Sequence, residues 1–233
     1  MLSNLIELRS NFEKTFLSHK KEFQEIIFIY FLLPLAGFLL IKTLKIPAIL
    51  LLFPLFAFFC IILTRDKNFS WQSIAPSSED KKDFRNNLAS IIQTFLMLSP
   101  FLFLLAYLYT PETFLEIPRE RPELWLKIMF FYPLISVTSQ EIIYRVYFYH
   151  RYQSLVEQAP STAIVINALI FSIGHLIYIH WLTFLISFLG GLLFAWRYQQ
   201  TKSFWLVHIE HSLYGLIIFT SGLGIFFFSG RVT

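Results

Sequence analysis

The stretch Thr138 to Tyr152 reads TSQEIIYRVYFYHRY and closes a long apolar run, yet it carries Gln140, Glu141 and Arg145. A charge taken into a bilayer costs about 2.5–3.5 kcal/mol on insertion scales, so ionisable residues at such depth are paired or serve a site. Glu141 and Arg145 stand four residues apart with the glutamate first, the favourable order for an ion pair on one helix face. Two readings follow: a salt bridge near a helix end with Arg145 snorkelling outward, or a carboxylate held for chemistry. A buried carboxylate tends toward a raised pKa, which suits a general base.

Two further stretches carry polar chemistry. In NALIFSIGHLIYIH, Asn167, Phe171 and His175 recur every four residues and share a helix face, Gly174 admits a close neighbour, and His180 falls at the interface. In FWLVHIEHSLYG, His208, His211, Ser212 and Gly215 line one helical stripe while Glu210 points elsewhere. Metal binding needs neutral imidazoles and a carboxylate, commonly as three protein ligands with an open position for water. Glu141, His175 and His211, each from a different apolar run, supply such a set if their helices converge, and zinc is the metal it would take. The small residues Ser187, Gly190, Gly191 and Ala195 suit tight packing between the His175 and His211 helices. Taken singly, each of these polar residues also reads as an ordinary helix-to-helix contact.

The elements that must position these residues are membrane helices. The 233-residue chain is 56% hydrophobic and 15% charged, with 28 phenylalanines, against about 25% charged residues in soluble domains; mean hydropathy is +0.59. About seven runs are long enough to cross a bilayer: roughly 25–41, 46–64, 88–109, 124–149, 161–178, 181–198 and 204–228. The last is interrupted by Gly215, Gly222 and Gly224 and reads as one piece or two. The expected fold is an all-α polytopic bundle of seven or eight transmembrane helices. It divides into a charged, amphipathic segment at 1–24, N-terminal helices and polar loops at 25–123, and a functional core at 124–233. Leu5, Leu8, Phe12 and Phe16 recur at helical spacing in the first segment, as an interfacial helix or as the front of the first span.

The net charge of +4 follows from Lys and Arg in the loops, which favour a cytoplasmic N-terminus; Arg197 counts among the inner-side cations. A bacterial source would make this the plasma membrane. No nucleic-acid partner is implied. The expected partners are the lipid bilayer and a membrane-associated peptide or protein. Cys60 alone forms no intrachain disulfide, and no cleavable signal is evident.

QEIIYR (140–145), FSIGH (171–175) and HSLYG (211–215), in that order and spacing, resemble the EExxxR, FxxxH and HxxxN motifs of the CPBP intramembrane proteases. That family contains the CAAX prenyl endopeptidases and the bacterial Abi-type proteins. The resemblance runs from about 136 to 228. It implies an endopeptidase in which Glu141 and His175 activate water, Arg145 holds a glutamate, and His211 binds a metal or stabilises the oxyanion, with Gln140 a polar neighbour. Asn167, His208 and Ser212 are supporting candidates. Two positions depart from the motifs. Gln140 replaces the first glutamate and cannot act as a base, and Gly215 stands where asparagine is common, removing a possible oxyanion donor. The rival readings are a catalytically impaired relative acting in membrane binding or immunity, and a transporter or proton relay.

Overall fold

A computed structural model of the chain describes residues 17–44, 49–74 and 81–227. Leu5, Leu8, Phe12 and Phe16 lie outside the described residues, as do Pro76–Glu79 of the polar loop. Among the described residues the regular structure is helical: α1 (Lys20–Leu44), α2 (Ile49–Arg65), α3 (Lys81–Tyr109), short α4 (Glu116–Glu120), α5 (122–151), α6 (Gln153–Gln158), α7 (Pro160–Gly174), α8 (Trp181–Thr201) and α9 (Phe204–Ser221). Apolar runs without an alternating pattern form helices because a helix satisfies every backbone group internally, as a bilayer requires.

By length and apolarity, Lys20–Leu44, Asp83–Tyr109, Pro160–Tyr178 and Trp181–Thr201 can each cross a membrane, and Leu50–Arg65 is a shorter apolar helix. The outer faces are greasy: Phe101 is 66% and Leu108 69% exposed on α3, surface that lipid covers. Gly222, at φ 108°, ends α9 and starts a separate turn, Leu223–Phe227. The last run is therefore two pieces, broken at Gly222 alone.

Helix α5 is the least regular, with π-helical turns at Tyr132–Val137 and Ile142–Tyr147 on either side of Thr138–Glu141. Pro133 has no N–H to donate and its ring crowds the preceding turn. The wider π turn accommodates it, and the Thr138 N–H reaches back to the Pro133 carbonyl. Side chains engage carbonyls along both turns. Thr138 Oγ1 donates to the Pro133 carbonyl (3.1 Å), as does His208 Nε2 (3.0 Å), and Ser139 Oγ donates to Ile135 (2.7 Å). Farther along, Tyr30 Oη donates to the Ile143 carbonyl (2.8 Å) and Asn167 Nδ2 to that of Tyr144 (2.5 Å). Helices α1, α7 and α9 thus brace α5 from three sides.

Helix α8 packs against both α7 and α9. A Cβ on Gly191 would stand 3.0 Å from the Ala168 Cα, so the small-residue stripe does bring α8 onto the His175 helix. Between α8 and α9 the tie is ionic. Arg197 donates two 3.1 Å bonds to Glu210, with side-chain exposures of 3% and 0%. The expectation of Arg197 as an inner-side loop cation is corrected: it lies within α8, buried, because Glu210 on the facing helix neutralises it.

Candidate active site

Glu141 and Arg145 are both fully buried, on the second half of α5. Glu141 Oε2 lies 3.5 Å from Arg145 Nε, and the guanidinium stacks 4.3 Å from the Phe171 ring centre and 5.6 Å from that of Phe194. No guanidinium nitrogen of Arg145 makes a hydrogen bond among the described residues. The carboxylate and two ring faces are what hold the charge.

The other oxygen of Glu141 reaches a different helix. His211 Nδ1, from α9, donates to Glu141 Oε1 at 2.7 Å. A carboxylate only accepts, so the hydrogen sits on Nδ1 and Nε2 is the ring's working edge. Tyr132 Oη stands 3.3 Å from that Nε2. The imidazole is clamped between aromatic rings, stacked on Phe194 (4.7 Å, 23°) and edge-on to Phe171 (5.5 Å, 83°).

His175 contacts the same phenylalanine, its ring 4.7 Å from that of Phe171. It does not sit deep inside a regular helix: α7 ends at Gly174 and His175 opens a 3-10 turn to Tyr178. Its Nδ1 donates to the Phe171 carbonyl at 2.8 Å, which again leaves Nε2 as the free edge. Gly174 lets the Tyr144 phenol lie against bare backbone, since a Cβ there would overlap its hydroxyl.

Gln140 is half-buried beside Glu141. Its amide bonds Ser136 Oγ at 2.8 Å, while Oε1 is buried without a partner among the described residues. The Ser136 hydroxyl can donate equally well to a turned amide, which would aim the NH2 group into that unpartnered space. Thr138, His208 and Asn167 brace α5 as described above, and Ser212 Oγ donates to the His208 carbonyl of its own helix (2.6 Å). These supporting candidates shape the site's walls.

The structure therefore gathers Glu141, Arg145 and His211 into one paired unit and sets His175 against the same Phe171 ring that His211 contacts. The partner of Glu141 is His211, whereas the pairing expected from sequence was with His175. Tyr132 went unnoticed in the sequence. The signal that points to it is Gly215, one turn beyond His211, where a Cβ would overlap the Tyr132 phenol. Among the described residues no three His, Cys, Asp or Glu side chains form a group able to hold a metal ion. Glu141 and His211 present their facing atoms to each other, so this arrangement does not fit the expected zinc set. The open depression along Arg85, Asn86, Ala89 and Gln93 of α3 contains none of these residues.

The span from the first turn of α5 to the last third of α9, residues 122–217, matches the family model for Rce1-like type II CAAX prenyl endopeptidases. This region is CAAX-protease-like, of the Rce1 type. Comparison with curated proteins and with solved structures finds no match. The Rce1-like region contains every residue gathered above: Tyr132, Gln140, Glu141, Arg145, Phe171, His175, His211 and Gly215. The family so matched is one of endopeptidases, and the apolar helices of the chain are those of a multi-pass membrane protein.

Proposed function

We propose that this chain hydrolyses a peptide bond in a membrane-associated substrate, with His211 as the base that activates water. The observation that carries the reading is the 2.7 Å bond from His211 Nδ1 to the wholly buried Glu141. A carboxylate on one imidazole nitrogen fixes the tautomer and steadies the imidazolium that forms when the other nitrogen takes a proton. Glu141 is then a positioning residue, and Arg145 holds Glu141. Water bonded to His211 Nε2 gives up one proton there, while His175 Nε2 accepts a hydrogen bond from the remaining O–H and orients the oxygen toward the carbonyl. The Gln140 amide serves as a hydrogen-bond donor to the substrate, a task for which an amide is suited and a carboxylate is not. No step is routed through a metal.

A second reading keeps the fold without the reaction: a binding or immunity protein in which Gln140 marks the loss of a base. One experiment separates the two. Membranes from host cells making the native protein, Glu141→Ala or His211→Ala at equal abundance are profiled for peptide N-termini. The purified proteins are tested in liposomes on a quenched peptide ending in farnesyl-cysteine and three residues. Cleavage lost in both variants supports the protease. Identical N-termini and an intact peptide in all samples would establish the non-catalytic reading.

A further inference from the structure

Tyr132 has no part in the reaction set out above, yet its hydroxyl contacts the working nitrogen of His211 at 3.3 Å. Two features bring it there. The π turn Tyr132–Val137 swings it round α5, and Gly215 leaves a cleft on α9 that the phenol fills, since any Cβ at 215 would overlap its Oη, Cζ and Cε1 atoms. The ring is steadied edge-on against Phe219 (5.2 Å) and His211 (6.3 Å). With the His211 hydrogen fixed on Nδ1 by Glu141, Nε2 is an acceptor and the phenol is its donor. At 3.3 Å the contact is long for a hydroxyl donor, so a water arriving at Nε2 displaces little. The freed O–H then lies beside that water, within reach of the carbonyl oxygen under attack.

We infer that Tyr132 is a catalytic residue of this site, its phenol donating a hydrogen bond to the oxyanion from α5, where a side chain at 215 would otherwise do so from α9. The inference rests on the reading of His211 as base. As the water oxygen bonds to the carbonyl carbon, His211 Nε2 takes one of its protons and the carbonyl π pair moves onto oxygen. That oxygen accepts the hydrogen bond from Tyr132, which keeps its own proton. The C=O bond re-forms, the C–N bond breaks, and the imidazolium returns its proton to the departing nitrogen.

The test compares wild type, Tyr132→Phe, Tyr132→Ala, Tyr132→Ala/Gly215→Asn and Glu141→Ala in liposomes. The probes are the farnesyl-cysteine peptide and a synthetic peptide spanning any junction found by membrane profiling. Tyr132→Phe keeps the ring packing and is expected to lose about 10²–10³-fold in kcat. Its KM and the midpoint of the acid limb of its pH profile are expected to stay put; a phenol that merely capped Nε2 would move that limb. An amide at 215, set in the cleft that alanine at 132 vacates, is expected to restore part of the rate lost in Tyr132→Ala. If Tyr132→Phe retains most of its kcat, or loses only in KM, while Glu141→Ala is inactive, the role of Tyr132 is overturned and the hydrolytic reading stands. If wild type cuts neither probe, or cuts them as well as Glu141→Ala does, both are overturned.

Discussion

Replacing Glu141 with glutamine leaves His211 Nδ1 an oxygen to bond but strips Arg145 of its counter-charge. Both side chains of the pair are at 0% exposure, and the guanidinium has no hydrogen-bond acceptor among the described residues. Two charges about 4 Å apart at an effective dielectric of 20 attract by about 4 kcal/mol. Breaking a buried pair by removing one partner costs about 3–5 kcal/mol, because the remaining charge stays buried. Glu141→Gln is therefore expected to lose that amount. Glu141→Gln/Arg145→Met should recover most of it, since the methionine lies on Phe171 and Phe194, which already flank the guanidinium at 4.3 and 5.6 Å, and an apolar replacement of a buried pair is often neutral. The assay is unfolding by SDS in mixed micelles, followed by tryptophan fluorescence and analysed as a double-mutant cycle, with a coupling energy of at least about 2 kcal/mol expected. In the cleavage assay the double variant should be folded yet impaired, because an amide cannot steady the His211 imidazolium as a carboxylate does. A Glu141→Gln protein as stable as wild type, or a double variant no more stable than the single, would refute the account of the pair. A double variant cleaving at the native rate would remove Glu141 from the mechanism.

Gly191→Val would drive a branched side chain into Ala168, whose Cα is 3.0 Å from the Cβ position; a loss of about 1–3 kcal/mol or more is expected in the same titration. Gly190→Ala, whose nearest neighbour is Phe194 at 3.4 Å, should be tolerated, and equal losses at the two positions would contradict the packing described. Outside the spans, the Asn68 amide (2.9 Å) and His150 Nε2 (2.8 Å) hold the Asp66 carboxyl below its usual range. The stabilisation this gives is present above the unfolded carboxyl value of about 4 and is lost as pH falls through the depressed folded one. Thermal unfolding of Asp66→Asn and wild type should therefore differ at pH 7 and converge in acid; a gap unchanged at pH 3 would rule the tether out. Because the donors at the site do not gather around a common point, cleavage should survive dialysis against EDTA or phenanthroline. Stoichiometric zinc in the purified protein that disappears in His175→Ala would count against this.

Much of the helical plan is legible in the sequence, because a bilayer leaves an apolar run little choice but to be a helix. The Glu141–Arg145 pair could be read from its spacing, and so could the divergence of Glu210 from the His208–His211 stripe, which the structure resolves as a bond to Arg197. The Asn167, Phe171 and His175 stripe was also visible, although not that Phe171 would contact both imidazoles. What the sequence leaves open is which helix meets which and at what rotation. Glu141 could have faced His175 or His211, and no local spacing distinguishes them. The end of α7 at Gly174 was hidden for the same reason, since the apolar pattern continues through His175 to Tyr178 without a break.

The rotation of α5 is the case where local reasoning goes astray, and its cause is physical. Tyr132 and Glu141 are nine positions apart, so at about 100° per residue an ideal helix sets them on opposite faces. Yet both reach the single imidazole of His211, at 3.3 and 2.7 Å. A π turn fits one extra residue and turns the following side chains back by about one residue's rotation. The turn at Tyr132–Val137 thus brings Tyr132 toward the side that Glu141 faces. Pro133 provides the reason for the turn, while Thr138 and His208 satisfy its displaced carbonyl. His208, which reads in the sequence as a candidate for chemistry, holds the irregularity that lets a tyrosine reach a cleft left open by a glycine.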